Sequence, residues 1–154
     1  MDTIKIKKSN VADTRTCDWS KVTKDQLLIA SRQHIFDVQK AFEHFIIKMQ
    51  EAASNHDFDK ITEIDQFYED FKTGFKQQIW YDNHKKVNRH HLNCEEGTRD
   101  DVDLVDVFEY LIDCVMAGLG RSGKVSPIDI PNELLNKAFQ NTIMKLISIV
   151  DIED

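Results

Sequence analysis

The sequence predicts an all-α fold, a compact bundle of about five helices, and three observations carry that expectation. Apolar residues recur at three- and four-residue intervals over most of the chain. Period-2 alternation is confined to one short piece around Ile4 and Ile6. Gly74, the stretch from Gly118 to Gly123, and Pro131 fall where the helical periodicity stops.

Residues 1–22 are read as an N-terminal arm and residues 23–154 as a single helical domain. Thr23-Lys24-Asp25-Gln26 has capping-box form, in which a threonine hydroxyl and a glutamine side chain satisfy each other's backbone amides. Leu27, Leu28, Ser31, His34, Ile35, Val38, Ala41, Phe42, Phe45, Ile46 and Met49 then lie in phase, so one long amphipathic helix is expected over about 24–53. A second helix starts near Asp57 or Asp59, puts Ile61, Ile64, Phe67, Tyr68 and Phe71 on one face, and ends before Gly74. A third segment runs from Phe75 to about His84 and carries Ile79, Trp80 and Tyr81. Between Lys86 and Thr98 periodicity disappears, and a loop is expected. Asp100 or Asp101 caps the next helix, whose Leu104, Val105, Val107, Phe108, Leu111, Ile112, Val115, Met116 and Leu119 are apolar almost all round. A helix of that kind belongs at the centre of a bundle. The turn Gly120-Arg121-Ser122-Gly123-Lys124 ends it, and Pro131 leads into a last helix over about 132–150.

Composition narrows the function classes. A chain of 154 residues can bury one core without staples. With 41% hydrophobic and 31% charged residues it has the balance of a globule rather than of a disordered or membrane chain. No apolar run approaches the roughly 20 residues of a membrane span. The start, MDTIKIKKSN, has lysines with no apolar stretch behind them, so no secretion signal is read and a cytoplasmic location is expected. Cys17, Cys94 and Cys114 are odd in number and widely spaced, which suits reduced thiols better than a disulfide framework. The net charge of −7, from 27 acids against 20 bases, repels nucleic acid and anionic lipid, and no basic helix argues for direct nucleic-acid binding. Gly118-Leu119-Gly120-Arg121-Ser122-Gly123 follows a helix rather than a strand and is a helix stop, not a phosphate loop.

The chemistry lies in the order of imidazoles and carboxylates: His34, then His56-Asp57, His84, His90-His91, and an acidic helix with Asp106, Glu109 and Asp113. Imidazole nitrogen and carboxylate oxygen are the ligands of borderline divalent metals, and a hydrolase that activates water on a metal needs such a set. Singly, each has a plain structural explanation: His34 as a satisfied core residue, Asp57 as a helix cap, the acids as a solvated face. Together they point to a metal site. Glu109 and Asp113 are four residues apart, so a helix stacks them on one side. Asp113 sits among Leu111, Ile112, Cys114 and Val115, where an unpaired acid on the packed side would cost several kcal/mol. A basic stretch with Lys85, Lys86, Arg89 and Arg99 adjoins the acidic one, as a metal-bridged phosphate ligand would require.

These residues carry a resemblance. His56-Asp57-Phe58-Asp59-Lys60-Ile61, continued by Glu63, Phe67, Tyr68 and Phe71, is similar to the HD-x-SK stretch of a family of small uncharacterised proteins of phages and bacteria. His84-Lys85-Lys86-Val87-Asn88-Arg89-His90-His91 resembles that family's H-x-x-x-N-x-H-H motif, and Glu109 and Asp113 stand at matching places in its acidic helix. The similarity runs from about His34 to Arg121. Asp59 stands where the family usually has serine, and Leu92-Asn93-Cys94 replaces a proline-containing continuation. More distantly, the order of residues resembles the HD-domain metal-dependent phosphohydrolases, which makes the expected bundle HD-domain-like. That resemblance implies His34, His56, Asp57 and Asp113 as core ligands of a divalent ion (Mn, Zn, Ni, Fe or Mg), with His84 and His91 available to a second. It further implies a metal-activated water attacking the phosphorus of a nucleotide or small phosphoester. Lys60, Lys86, Arg89 or Arg121 would hold the phosphate, and Glu63 or Glu109 would move the proton. The alternative is a non-enzymatic phage-type effector that binds a host protein through an acidic surface in the host cytoplasm. Convergent His34, His56, Asp57 and Asp113 would favour the enzyme, whereas scattered histidines would favour the effector. The apolar last helix would serve equally to complete the core or to pack on another subunit of a homo-oligomer.

Overall fold

The computed structural model describes residues 3–11, 13–94 and 97–153. The chain is all-α, and among the described residues five helices of nine or more residues make up most of it. They are α1 (Lys24–Asn55), α3 (Ile64–Lys72), α4 (Ile79–Val87), α5 (Leu104–Ser122) and α6 (Asn132–Ile149), with a four-residue α2 (Asp59–Thr62) between the first two. Two small sheets accompany them, one of β1 (Ile4–Lys7) with β4 (Val150–Glu153), the other of β2 (Asn93–Cys94) with β3 (Gly97–Thr98). None of the described helices is long and apolar enough to cross a membrane. The chain divides into two units, Met1–Ile47 with Met144–Asp154, and Lys48–Ile143.

In the first unit, part of the expected arm is a strand. β1 pairs in parallel with β4, Ile4 opposite Val150 and Lys7 opposite Glu153. Lys5 ties the two by an ion pair to Glu153 at 2.9 Å, and Ile4 is buried. The last helix stops at Ile149 to leave this strand free, a change of period that four residues cannot announce in sequence. α1 opens on the expected capping box: Thr23 Oγ1 accepts from the Gln26 amide at 3.3 Å, and Gln26 Oε1 accepts from the Thr23 amide at 2.9 Å. Its only buried residue is Ala30. His34, expected in or beside an inward stripe, is exposed, because the stripe itself is exposed.

In the second unit, the helix expected from Asp57 or Asp59 is broken at Glu63, which leaves helical geometry (φ −117°, ψ 34°) between α2 and α3. Buried Asp70 on α3 starts α4: its carboxylate accepts from the amides of Gln78 and Tyr81, both at 3.1 Å. Gln78 takes a left-handed conformation (φ 54°), so α4 begins at Ile79 rather than at Phe75. Phe67 packs on Trp80 (ring centroids 4.4 Å) and Phe75, fixing α3 against α4. The expected loop contains the β2–β3 hairpin, with Asn93 opposite Thr98.

Asp103, not Asp100 or Asp101, caps α5. Asp103 Oδ1 accepts from the Val105 and Asp106 amides at 2.8 and 3.2 Å, and Asp106 Oδ2 accepts from the Asp103 amide at 3.0 Å. The earlier acids are held out of the helix because Asn141 Nδ2 donates to the carbonyls of Asp100 and Val102, pinning the turn at Asp100-Asp101 ahead of it. At the other end Gly123 (φ 70°) returns its amide to the Leu119 carbonyl, a left-handed stop that suits glycine. Leu92, Val102, Leu134 and Ala138 form the core of this unit, with Leu104, Val107, Tyr110 and Ile130 against them. α5 is therefore not central as its composition suggests. Only its first turns face that core, and Phe108, Leu111, Ile112, Met116 and Leu119 are exposed.

The Asp103 cap gives a direct stability measurement. Asp103→Ala removes the acceptor for two amides at once, and urea denaturation is expected to show a loss of about 1–2 kcal/mol with an unchanged slope.

Candidate metal centre

The turn between α1 and α2 is shaped by Asp57, which takes a left-handed backbone (φ 52°). Such a conformation costs a non-glycine residue on the order of 1–3 kcal/mol and persists where neighbours over-determine it. The neighbour here is Asn88. Its Oδ1 accepts the Asp57 amide at 3.0 Å, while its Nδ2 donates to Asp59 Oδ1 at 2.8 Å and to the His84 carbonyl at 3.1 Å. Asp59 in turn accepts from His84 Nδ1 at 2.9 Å. Asp59, His84 and Asn88 are all buried, so one closed network joins the α1–α2 turn to the end of α4.

Because Asp59 takes His84 Nδ1, the ring's Nε2 lone pair is left for something else. It points at Asp57 Oδ1, 3.4 Å away, and His90 Nε2 lies 3.5 Å from the same oxygen. His90 Nδ1 is held at 3.1 Å by Glu109 Oε1, which also holds His56 Nδ1 at 2.9 Å. An ionised carboxylate only accepts, so both Nδ1 atoms carry the hydrogen and both Nε2 atoms are free. His56 Nε2 lies 3.6 Å from Asp57 Oδ2 and 3.6 Å from Asp113 Oδ1.

Two ligand groups follow, sharing Asp57. In one, Asp57, His84, His90 and His91 each offer an atom within 4.8 Å of the others; in the second, His56, Asp57 and Asp113 do the same. Separations near 3.4 Å are those of ligands about 2.0–2.2 Å from a common ion, which sets neighbouring ligand atoms about 3.0–3.4 Å apart. A third grouping, His56 with His90 and Glu109, is already joined by hydrogen bonds and serves as support. Asp57 Oδ1 and His91 Nε2 are buried and have no hydrogen-bond partner. Orphaned atoms of that kind, aimed into one group, are what a cation would satisfy. The donor set therefore fits a divalent metal, and the cluster could hold one.

The electrostatics keep the ligands in coordinating form. Burial pulls the Asp57 carboxyl up, but the Lys60 ammonium paired to its Oδ2, with His56 and His84, outweighs this and holds it below the usual carboxylate range. Burial likewise raises Glu109, and the hydrogen bonds from His90 and His56 reverse the shift. Burial lowers His84 despite its bond to Asp59. His91 is pushed down to about 4 by burial and by the neighbouring His90 and His84. Ionised carboxylates and neutral imidazoles are the forms that bind metal.

Of the residues singled out in the sequence, His56, Asp57, His84, His91 and Asp113 converge, with Lys60 on Asp57. His34 does not join them: it is exposed in the other unit and takes part in no ligand group among the described residues. Glu109 is present but differently employed, its Oε1 occupied by two imidazoles. Glu63 lies at the α2–α3 break, half-buried and in no ligand group among the described residues. Arg89 is unavailable to phosphate: Asp106 takes its Nε and Nη2 at 2.7 Å each, and Asp101 its Nη1 at 2.8 Å. These hydrogen bonds to Asp106, helped by the one to Asp101, raise the guanidinium's already high pKa against burial. Lys86 is exposed, and Arg121 is exposed in the last turn of α5.

Three residues with no ligand or supporting role assigned from sequence contribute here. His90 belongs to two of the ligand groups, and the signal for it is the doublet itself, two residues after Asn88. Asp59 was noted only as a departure from serine, yet an acid two residues after Asp57 is the natural partner for His84 Nδ1. Asn88 stands in the sequence only as one position of a motif, with nothing in its spacing to announce the network it holds.

No protein-family model, curated protein or solved structure matches this chain. Fold and site define it as an all-α protein with a His/Asp/Glu cluster that could hold a metal.

Two measurements test the wiring. Glu109→Gln keeps the shape but withdraws the carboxylate from His56 and His90, and is expected to weaken metal binding about 10–100-fold in calorimetric titration. In the metal-free chain, His91 is neutral when folded down to about 4, whereas the unfolded imidazole takes its proton below about 6.5. Its folded pKa is depressed, so its contribution is full above the unfolded value and is lost as pH falls toward the folded one. Tm is expected to fall between those limits, and His91→Gln is expected to flatten the decline.

Proposed function

We propose that this chain is a metal-dependent phosphohydrolase acting on a nucleotide or another small phosphoester. The observation that carries the reading is the pair of buried, partnerless atoms, Asp57 Oδ1 and His91 Nε2, in a group whose His84 and His90 rings are already oriented by Asp59 and Glu109. Three imidazoles to one carboxylate suit zinc, manganese, iron or nickel better than magnesium. A divalent ion bound there supplies Lewis acidity and a water whose pKa falls from about 15.7 toward about 7. The chain's own residues supply the rest. Asp57 and the histidines fix the reacting centre, and Glu109 and Asp59 keep the rings from turning. Lys60, whose ammonium pairs with Asp57 Oδ2, would take a phosphoryl oxygen with the N–H donors that this pair leaves over. The resemblance of His84-x-x-x-Asn88-x-His90-His91 and His56-Asp57 to motifs of phage and bacterial proteins, and more distantly to HD-domain phosphohydrolases, supports the same reading. Of the four residues whose convergence would favour an enzyme, His56, Asp57 and Asp113 converge and His34 does not; the addition of His84, His90 and His91 to the cluster supports the enzyme over an effector that binds through its acidic surface.

Elemental analysis of the purified chain tests this first, comparing wild type with Asp57→Asn and His90→Ala. Stoichiometric metal in the wild type, lost in both folded variants, is the expected result. Metal-loaded protein is then expected to hydrolyse p-nitrophenyl phosphate, its diester or a nucleotide, with KM raised about tenfold in Lys60→Ala. A folded wild type that takes up neither manganese, zinc nor nickel would sink the proposal, and a loaded protein inert on all three substrate types would reduce the metal to a structural role.

A further inference from the structure

The feature that the metal centre leaves unexplained is α1. Leu28, Ile35, Phe42 and Met49 recur every seven residues along it, with Val38, Phe45 and Ala52 three positions after the last three. That is the a/d spacing of a helix that packs lengthwise against another helix. Yet in this chain the seam faces solvent: Ile35 is 55% and Phe42 65% exposed, and Leu28, Val38 and Met49 are exposed as well. Helices in proteins draw most of their stability from burying an apolar face, and a 32-residue helix that buries only Ala30 has not done so.

We propose that α1 is a dimerisation helix, its seam covered by a second copy of this chain. Three observations select that occupant. The first is area. A compact 18.0 kDa monomer exposes about 8,000 Å², and two separate globules sharing that mass about 9,700 Å². The chain exposes 11472 Å², about 1,800 Å² more than even two separate globules would. A transient partner takes only about 800 Å² from each side, whereas an obligate homodimer takes roughly 1,000–2,500 Å² or more. The second is the apolar character of the seam, which matches the permanent interfaces that resemble a divided core rather than the more polar transient ones. The third is charge. Lys24, Arg32, Lys40 and Lys48 balance Asp25, Asp37, Glu43 and Glu51, so α1 is neutral in a chain of net charge −7. Two copies can therefore meet along α1 without bringing like charge together, as they would elsewhere on the surface.

Light scattering and sedimentation of the full chain read the outcome directly. The expected mass is about 36 kDa, twice the 18.0 kDa of one chain. The paired substitution Ile35→Glu with Phe42→Glu is expected to weaken association at least 100-fold and give a folded monomer by circular dichroism. Should that variant fail to fold, hydrogen exchange on the wild type decides: protection of α1 amides is expected to fall on dilution. A mass of one chain at every concentration overturns the proposal. So does a dimer indifferent to both glutamates, or α1 protection that does not change with concentration.

Discussion

The hydrogen bond from the Asp57 amide to Asn88 Oδ1 is the constraint on which the candidate centre depends. It holds Asp57 in a backbone conformation that side chains avoid, and that conformation turns the carboxylate between two sets of histidines. The same amide side chain grips Asp59 and the last turn of α4, so the α1–α2 turn and the histidines of α4 share one fastening. An asparagine can do this because it offers both an acceptor and two donors in one plane, where aspartate would lose the donors and leucine everything. Buried networks of this kind are firm when complete and costly when broken, which is how a strained turn can be stable.

Around that fastening the acids divide their labour. Asp59 and Glu109 face Nδ1 atoms and set tautomer and ring orientation, while Asp57 and Asp113 face Nε2 atoms and are placed to share what those atoms bind. Asp106 belongs to neither group. Burial raises its pKa, and Arg89 opposes the shift while tying the start of α5 to the loop before it. Four of the acids near α2 and α5 thus act on histidines through the two ring nitrogens, and a fifth only on structure.

The fold was legible where the physics is local. Periodicity placed α1, α5 and α6, and Thr23-x-x-Gln26 marked the first helix start. It failed where a distant group decides. The α5 cap moved to Asp103 because Asn141, far along the chain, holds the carbonyls before it, and α4 started late because Asp70 captures two of its first amides. For the site, adjacency in sequence found His56-Asp57 and the motif from His84 to His91. Roles were less legible than membership: Glu109 stands on the same helix face as Asp113, yet spacing cannot say which faces Nδ1 and which Nε2. Arg89 looked available because its partners lie 17 and 12 residues away. His34 shares the phase of an apolar stripe, which reads as inward in sequence, but the stripe is exposed and His34 with it.

The parallel pairing of β1 with β4 has a temporal meaning. Chains are made from the N-terminus, and Ile4 leaves the ribosome long before its partner Val150 exists. Residues 48–143 hold both members of every contact in the candidate centre, so that centre can assemble during synthesis, but the first strand must wait, unpaired and partly apolar, until the residues up to its partner have been made. Contacts this far apart in sequence are slow to close. The interval during which the N-terminal segment is open to capture by a chaperone, or by another nascent chain on the same message, is therefore the sum of the time to elongate between the two strands and the time to close so long a loop.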